Sequence, residues 1–432
     1  MLCLGGGIIY KVPYGKGEAS FRLPESVRPE WLLYGRPQGD DNNSEFHPAS
    51  NPLQLIDQAL HQPIGSLPLA ELAKNCKRAV IIISDITRLC PSHLFLEPLL
   101  NELNSGGMAD SSITVIVALG IHRSQTETEL RTLTGNSVYR RVRVMNHSPA
   151  EEDCLYMGTT QQGTRVEINR HVVQADLRIL TGNIEPHHMA GLSGGAKALL
   201  PGVASRRCIE ANHALSKKTV KAVAGSPDNS IRQDMEEALS LVPAHFLFNV
   251  IVNHDKEMIA AFAGDVIEAH RAGVLQAKQL FCIPAAAQYD LVIASPGGHP
   301  KDIQLYQAIK TLQNASSFTR TGGTIVLIAE CEEIYGNGLF QYWAETYSDR
   351  QQAIDKLSQT FILGAHKLEQ LDALLQKHRI YLHSEVPSAV CELLGFYPAN
   401  ELQSTLDELT FARPIQAAIM PYGAITFADK NQ

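Results

Sequence analysis

Short, almost unbroken apolar runs recur along this chain, separated by amphipathic segments, and that alternation constrains the fold more than any other feature. The clearest runs are Ala79–Ser84 (AVIIIS), Ile113–Leu119 (ITVIVAL), Leu177–Thr181 (LRILT), Leu247–Val252 (LFNVIV), Leu291–Ala294 (LVIA) and Thr324–Ala329 (TIVLIA). Strands apolar on both faces belong to parallel sheets covered by helices on both sides. Helices are predicted between them over Leu96–Asn104, Gln125–Leu133, Val266–Lys278 and Asp302–Gln313. Pro98 is expected in the opening turn of the first, where a missing N–H costs least. The alternation predicts doubly wound α/β architecture. At 432 residues, 44% of them hydrophobic, the chain is long enough for two such domains. They are expected over 1–280 and 281–413, parting near Lys278–Gln288. A polar loop, Gly39–Ser44, precedes the first clear run. The tail, 414–432, is β-like (AAIMPYGAITF) and is expected to return to the first domain, making that domain discontinuous.

Charge and cysteine usage remove several function classes. Charged residues make up 19% of the chain and the formal net charge is −8, without the basic stripe that nucleic acid or an acidic membrane surface selects. No stretch approaches the ~20 apolar residues of a membrane span, and the N-terminus lacks the basic and apolar regions of a signal peptide. Eight cysteines are scattered with no CxxC pair, which argues against structural zinc or a disulfide framework and points to a reducing cytoplasm.

Ligands of open α/β sheets sit beyond the carboxyl ends of the strands, and polar clusters fall there repeatedly. Ser84-Asp85-Ile86-Thr87-Arg88 follows the first run, Gly120-Ile121-His122-Arg123 the second, Gly182 through His188 the third, and Ser295 to Asp302 (SPGGHPKD) the fifth. Four such loops point to one shared site. Each residue has a plainer reading beside the functional one. Asp85 and Thr87 suit a helix cap, while Arg88 offers a planar fork for a carboxylate or phosphate. His122 is either a satisfied loop histidine or an acid-base group titrating near neutrality. His187 and His188 resemble a metal pair, but neighbours in an extended segment face opposite sides, so at most one serves the site. Lys301 at a helix start suits an anion or simply water, with Asp302 as a possible cap.

The densest segment is Asn183–His213 (NIEPHHMAGLSGGAKALLPGVASRRCIEANH). One continuous helix from Ala198 would carry His213 roughly 20 Å from Lys197. Pro201-Gly202 forbids that helix, so the chain is expected to reverse and bring His213 back. Ser193-Gly194-Gly195-Ala196-Lys197 is not a Walker A loop, because the first glycine and the final Ser/Thr are missing. The glycines still permit backbone N–H groups to approach a phosphate. Lys197 reads as a phosphate counter-charge, a covalent attachment point or a solvated lysine.

Taken together, SDITRLCPS (84–92), ALGIHR (118–123), GNIEPHHMAGLSGGAKALLPG (182–202), NH (212–213) and GGHPKDIQLYQ (297–307) resemble the lactate racemase family, the enzymes that use a nickel-pincer nucleotide. The resemblance runs over nearly the whole chain, and the order and spacing of the pieces carry it. It implies two α/β domains with the active site in the cleft between them. It implies nickel pyridinium-3,5-bisthiocarboxylic acid mononucleotide bound covalently to Lys197, with His213, sixteen positions on, as the metal ligand. The pincer's two sulfurs and one carbon with one imidazole would complete a square-planar Ni(II) site. His122 and His187 become the acid-base residues, Arg88 and Lys301 the carboxylate contacts, and Asp85, Thr87, Ser193, Gly194 and Gly195 the cofactor surroundings, with Asp85 orienting a neighbouring charge. The implied activity is racemisation or epimerisation of a small 2-hydroxy acid by proton-coupled hydride transfer through a 2-keto acid. The implied partners are the cofactor-biosynthesis and nickel-insertion proteins.

Leu119 stands where the family has threonine, His188-Met189 where aromatics are common, and Ala196 where arginine is frequent. These departures leave the proposed catalytic groups in place and leave the identity of the 2-hydroxy acid open. Two other readings remain on sequence. A 2-hydroxy-acid oxidoreductase using a free nicotinamide nucleotide is disfavoured by the lack of a convincing GxGxxG with its acidic partner. A non-catalytic anion- or metal-binding protein on the same scaffold is the other.

Overall fold

The computed structural model describes residues 8–35, 48–217, 229–285, 288–347, 350–411 and 415–429; the predicted loop 39–44 lies outside them. Contacts divide the chain into two compact units, Pro37–Leu280 and a unit joining Met1–Arg36 to Phe281–Gln432. Among the described residues no helix is long and apolar enough to cross a membrane.

In the first unit a six-stranded sheet runs in the order Met258–Gly264, Phe246–Val252, Leu177–Asn183, Ala79–Ser84, Ile113–Ala118, Arg143–Asn146. Every pairing is parallel except that of the first two strands. Burial on both faces explains the unbroken apolar runs. Ile81 and Ile83 point into one cluster with Phe95, Leu96 and Leu99 of the helix Ser92–Ser105, while Ile82 between them is equally inaccessible on the opposite side. Each such side chain contributes about 1.5–3 kcal/mol by leaving water. That helix starts earlier than predicted, with Pro91 at its cap, so Pro98 lies inside rather than in the opening turn. The next helix, Glu127–Thr134, is started by a capping box in which Thr126 and Glu129 satisfy each other's backbone N–H.

The second unit carries an all-parallel six-stranded sheet in the order Tyr397–Pro398, Arg379–His383, Thr319–Ile328, Tyr289–Ala294, Ala417–Met420, Glu30–Trp31. Helix Leu305–Ala315 covers one face through Leu305, Ala308, Ile309 and Leu312. The hairpin Ile8–Tyr14/Gly17–Leu23 covers the other through Tyr10, Val12, Phe21 and Leu23. The expected return of the tail to the first domain is therefore corrected. Ala417–Met420 pairs with Leu291–Ala294, so the discontinuous unit is the C-terminal one, and the first 36 residues belong with it. The physical reason is sheet burial: strand 289–294 lies inside the unit, where the backbone N–H and C=O groups on both its edges need a ladder, and 319–328 and 417–420 supply one each.

Candidate active site

Register places the strand ends of the first unit side by side. Ser84 pairs with Ala118, Ile82 with Leu180, and Asn183 with Val250. The loops carrying Asp85, His122 and His187 thus leave the same edge of one sheet. The 119–122 turn is tied further to the later segment by the Gly120 N–H, which donates to the Gly202 carbonyl at 3.0 Å.

Asp85 is only 2% exposed. Its Oδ1 accepts from the Thr87 N–H at 2.8 Å and the Thr87 hydroxyl at 2.5 Å, and its Oδ2 lies 3.0 Å from His122 Nδ1 and 3.9 Å from Arg88 Nε. Asp85 caps this 85–88 turn, not a helix, since the following helix begins at Ser92. Burial alone would raise its carboxyl, but the charges of His122 and Arg88 and the hydrogen bonds from His122 and Thr87 hold it far below the usual carboxylate range. An ionised carboxylate facing Nδ1 keeps a hydrogen on that nitrogen, so in the neutral form of His122 the acceptor is Nε2.

His187 is set the other way. Pro186–His187 and Gly191–Leu192 form a two-residue antiparallel pair, and between them the chain turns so that the Met189 and Ala190 N–H groups point at His187 Nδ1, at 3.3 and 3.2 Å. A nitrogen that accepts two N–H groups cannot carry a hydrogen, so the His187 proton sits on Nε2. One histidine presents an acceptor and the other a donor. His188 follows just beyond the two-residue strand, in the turn itself.

The Ser193–Lys197 turn is built from within. The Ser193 hydroxyl donates to the Asn183 carbonyl at 2.7 Å and accepts from the Glu185 N–H at 2.9 Å, so its role is to close the 183–193 loop. The Gly195 N–H donates to Asn249 Oδ1 at 2.9 Å and so does not point at a phosphate. Gly194 and Gly195 have φ of +76° and +60°. A Cβ on Gly194 would come 2.4 Å from Asn249 Oδ1, and one on Gly195 would come 2.9 Å from His270 Cγ. Tight packing against these two side chains, together with left-handed backbone, is what demands the glycines. His270 completes the support by donating from Nε2 to the Ser193 carbonyl at 2.9 Å.

Lys197 follows in a single 3-10 turn, Gly195–Ala198. It is half-buried, and burial with the charges of Arg88 and Arg232 outweighs Asp85 and Glu185, pushing its amine down to about 7. The chain then reverses through Pro201-Gly202 into the helix Arg206–Ala214, capped by Ser205. That reversal returns His213 to Lys197. Burial and the lysine's charge together lower the His213 imidazole to about 3. His213 Nδ1 is buried and has no hydrogen-bond partner. A neutral ring with an unsatisfied buried nitrogen fits a metal ligand. Among the described residues no cluster of three or more His, Cys, Asp or Glu can hold a metal ion. These residues are compatible with a metal held by His213 together with a group that brings its own donors.

Lys301 belongs to the second unit, in the loop after strand Tyr289–Ala294, and its substrate role rests on the resemblance alone. Asp302 beside it is fully buried and accepts from the Gly15 N–H at 2.7 Å and the Glu330 N–H at 3.3 Å. Helix 305–315 instead begins after Gln304, which corrects the capping role expected of Asp302. Sequence reading missed Asn249, His270 and Arg232. Asn249 did leave a signal, as the one polar residue in the otherwise apolar strand FLFNVIV. His270 and Arg232 lie on amphipathic helices, where nothing marks them as internal.

Comparison with known proteins agrees with this arrangement. The model of the lactate racemase N-terminal domain matches residues 14–225, and that of the lactate racemase C-terminal domain matches 285–418. A lactate racemase from Lactiplantibacillus plantarum is 33% identical over 385 residues, covering 86% of this chain and 89% of that protein. One from Thermoanaerobacterium thermosaccharolyticum is 32% identical over 350 residues, 80% of each. The solved structure of the lactate racemase apoprotein from the latter organism superposes with a TM-score of 0.86 at 28% identity, over 98% of this chain and 100% of that one. Both domains are matched in order and over most of their length, and the chain is an isomerase belonging to the lactate racemase family.

Proposed function

We propose that the protein interconverts the enantiomers of lactate or a closely related 2-hydroxy acid, using a nickel-pincer nucleotide held by Lys197 and His213. The observation that carries this reading is the return of His213 to Lys197 with a buried, unpartnered ring nitrogen, in the same electrostatic environment as Arg88, Asp85 and Glu185. Lys197, whose amine burial pushes down to about 7, suits a covalent tether. When bound, the group would take a hydride from the α-carbon and return it.

The residues of the chain handle the proton and the substrate's charge. His122 Nε2 accepts the hydroxyl proton as the α-carbon is oxidised, and the resulting imidazolium is stabilised by the Asp85 carboxylate at Nδ1. His187 holds a hydrogen on Nε2 that hydrogen-bonds the oxygen of the keto intermediate, and the His122 imidazolium gives its proton back to that oxygen as the alcohol re-forms. Arg88, with its guanidinium beside Asp85 and 19% of its side chain exposed, is the group of this unit suited to the substrate carboxylate. Thr87 locks Asp85.

Co-expression with cofactor-biosynthesis and nickel-insertion proteins tests the reading. Intact-protein and peptide mass spectrometry should find an increment on Lys197, and chiral chromatography should show D- and L-lactate converging to equal amounts. No increment with the maturation proteins present removes the cofactor. An increment without lactate turnover moves the substrate to another 2-hydroxy acid, to be found by screening malate, 2-hydroxyglutarate, aromatic 2-hydroxy acids and aldonates.

A further inference from the structure

The helix Ser230–Leu241 carries two charged side chains that are fully buried and are not paired with each other. Arg232 spends its guanidinium on backbone carbonyls of one loop. Nε reaches Ala190 at 3.4 Å, Nη1 reaches Gly194 at 2.9 Å, and Nη2 bonds Leu192. These three carbonyls span the stretch between His187 and Lys197. Among the described residues Arg232 forms no ion pair, and its electrostatic neighbour Glu236 is engaged by Arg271 at 2.9 Å.

Asp234, two residues on, points elsewhere, as about 100° of rotation per residue requires. Its carboxylate accepts from Thr160 Oγ1 at 2.5 Å, Thr164 Oγ1 at 2.7 Å and Asn212 Nδ2 at 2.7 Å. Asn212 is itself fully buried and is the immediate neighbour of His213. Its amide also donates to the Ile231 carbonyl of the same helix, at 3.2 Å. A buried ion is costly unless it is hydrogen-bonded, and bonding to fixed carbonyls for Arg232, and to two hydroxyls and an amide for Asp234, makes each a rigid strut. The helix packs against both the 195–198 turn and the helix 206–214.

We propose that helix 230–241 is the gauge that sets the spacing between Lys197 and His213, with Arg232 as positioning residue for the lysine loop and Asp234, through Asn212, as positioning residue for the histidine. Along the chain the two segments are joined through the Pro201-Gly202 reversal, where the Gly202 N–H donates to the Lys197 carbonyl at 3.2 Å, and helix 230–241 adds a second tie to the loop before Lys197 and to Asn212 beside His213. This rests on the assignment of Lys197 and His213 proposed above. It adds that a group bound covalently at one and through a metal at the other needs the two held in register from outside, and that two opposite buried charges on one rigid helix do so.

The test separates the two arms. In the cofactor-free full-length protein, hydrogen–deuterium exchange of Arg232→Lys should rise at least ten-fold in peptides covering 190–198 and stay near wild type in 205–214. Asp234→Asn should give the reverse. Asn212→Ala cuts only the link to helix 206–214, leaves Asp234 with two threonine hydroxyls, and reads the same segment if Asp234→Asn fails to fold. Arg232→Gln serves likewise for the other arm. After co-expression with the maturation proteins, the Arg232 variant should lose most of the Lys197 adduct per folded molecule. The Asp234 and Asn212 variants should keep the adduct and lose nickel relative to it. Exchange that rises equally in both segments for every variant, or wild-type adduct and nickel in all of them, overturns the gauge. If wild type itself acquires no adduct, the cofactor assignment fails, and the exchange pattern alone still decides whether the helix holds the two segments separately.

Discussion

Replacing Asp85 by asparagine changes one atom of a side chain that is 2% exposed, yet the surrounding bonds dictate a large effect. Oδ1 accepts from two donors of Thr87, its N–H and its hydroxyl, and the new amide nitrogen cannot sit there without facing an N–H. The introduced amide is therefore forced into the place of Oδ2, where it donates toward His122 Nδ1 at the present 3.0 Å. His122 must then move its proton to Nε2, and the acceptor proposed to take the substrate proton is lost. The counter-charge for its imidazolium goes as well. A positioned general base is worth on the order of 10²–10⁴ in rate, equivalent to about 3–5 kcal/mol of activation free energy. We expect Asp85→Asn to fold, to acquire the Lys197 adduct, and to racemise lactate at least 100-fold more slowly, measured by chiral chromatography with rates normalised to adduct mass. Turnover within ten-fold of wild type at equal loading would refute the Asp85–His122 pairing as a functional unit. The carboxyl is held far below its ordinary range, so its contribution to stability is complete above the unfolded value near 4 and is lost only as pH falls toward the lowered one. Between pH 5 and 9 Asp85 stays ionised, and a limb of the wild-type rate profile there belongs to another group.

Three further outcomes follow from the same geometry. His122→Gln should abolish turnover, whereas His187→Gln, which keeps an N–H donor, should retain at least ten-fold more activity than His122→Gln; equal inactivity would assign His187 a full proton transfer. Gly195→Ala places a methyl 2.9 Å from His270 at φ +60° and should destabilise the protein by about 1–3 kcal/mol in chemical denaturation. Lys197→Met removes a cation held beside Arg88 and Arg232, and because the lysine's value is depressed to about 7, its charged form is the one penalised by folding. The melting temperature should therefore rise relative to wild type at pH 6 more than at pH 9, while any adduct disappears; a larger gain at pH 9 would contradict the depressed amine.

Much of this protein was legible along the chain because its information is local. Runs such as AVIIIS and ITVIVAL can be buried on both faces only in a parallel sheet, and the loops after them must leave at one edge, so Asp85, His122 and His187 fall together from strand order and register alone. Pro201-Gly202 forbids a straight helix, so the return of His213 is likewise local. Other features depend on segments distant in sequence. The N-terminal hairpin packs on the face of strand 289–294, the tail strand 417–420 pairs along its edge, and Glu30–Trp31 pairs in turn with 417–420, a partnership that no local pattern specifies. Gly194 and Gly195 read as a phosphate cradle along the chain, but Asn249 and His270 fill the space against them. The opposite settings of the two histidines come from a carboxylate 37 positions away for one and a tight backbone turn for the other. Arg232 and Asp234 look like the exposed charges of an amphipathic helix until tertiary packing buries them against three carbonyls and an amide. Residue type and spacing determined which groups reach the site; only long-range packing decided where their protons sit and what holds them there, because a hydrogen-bond partner far along the chain leaves no mark on its neighbours.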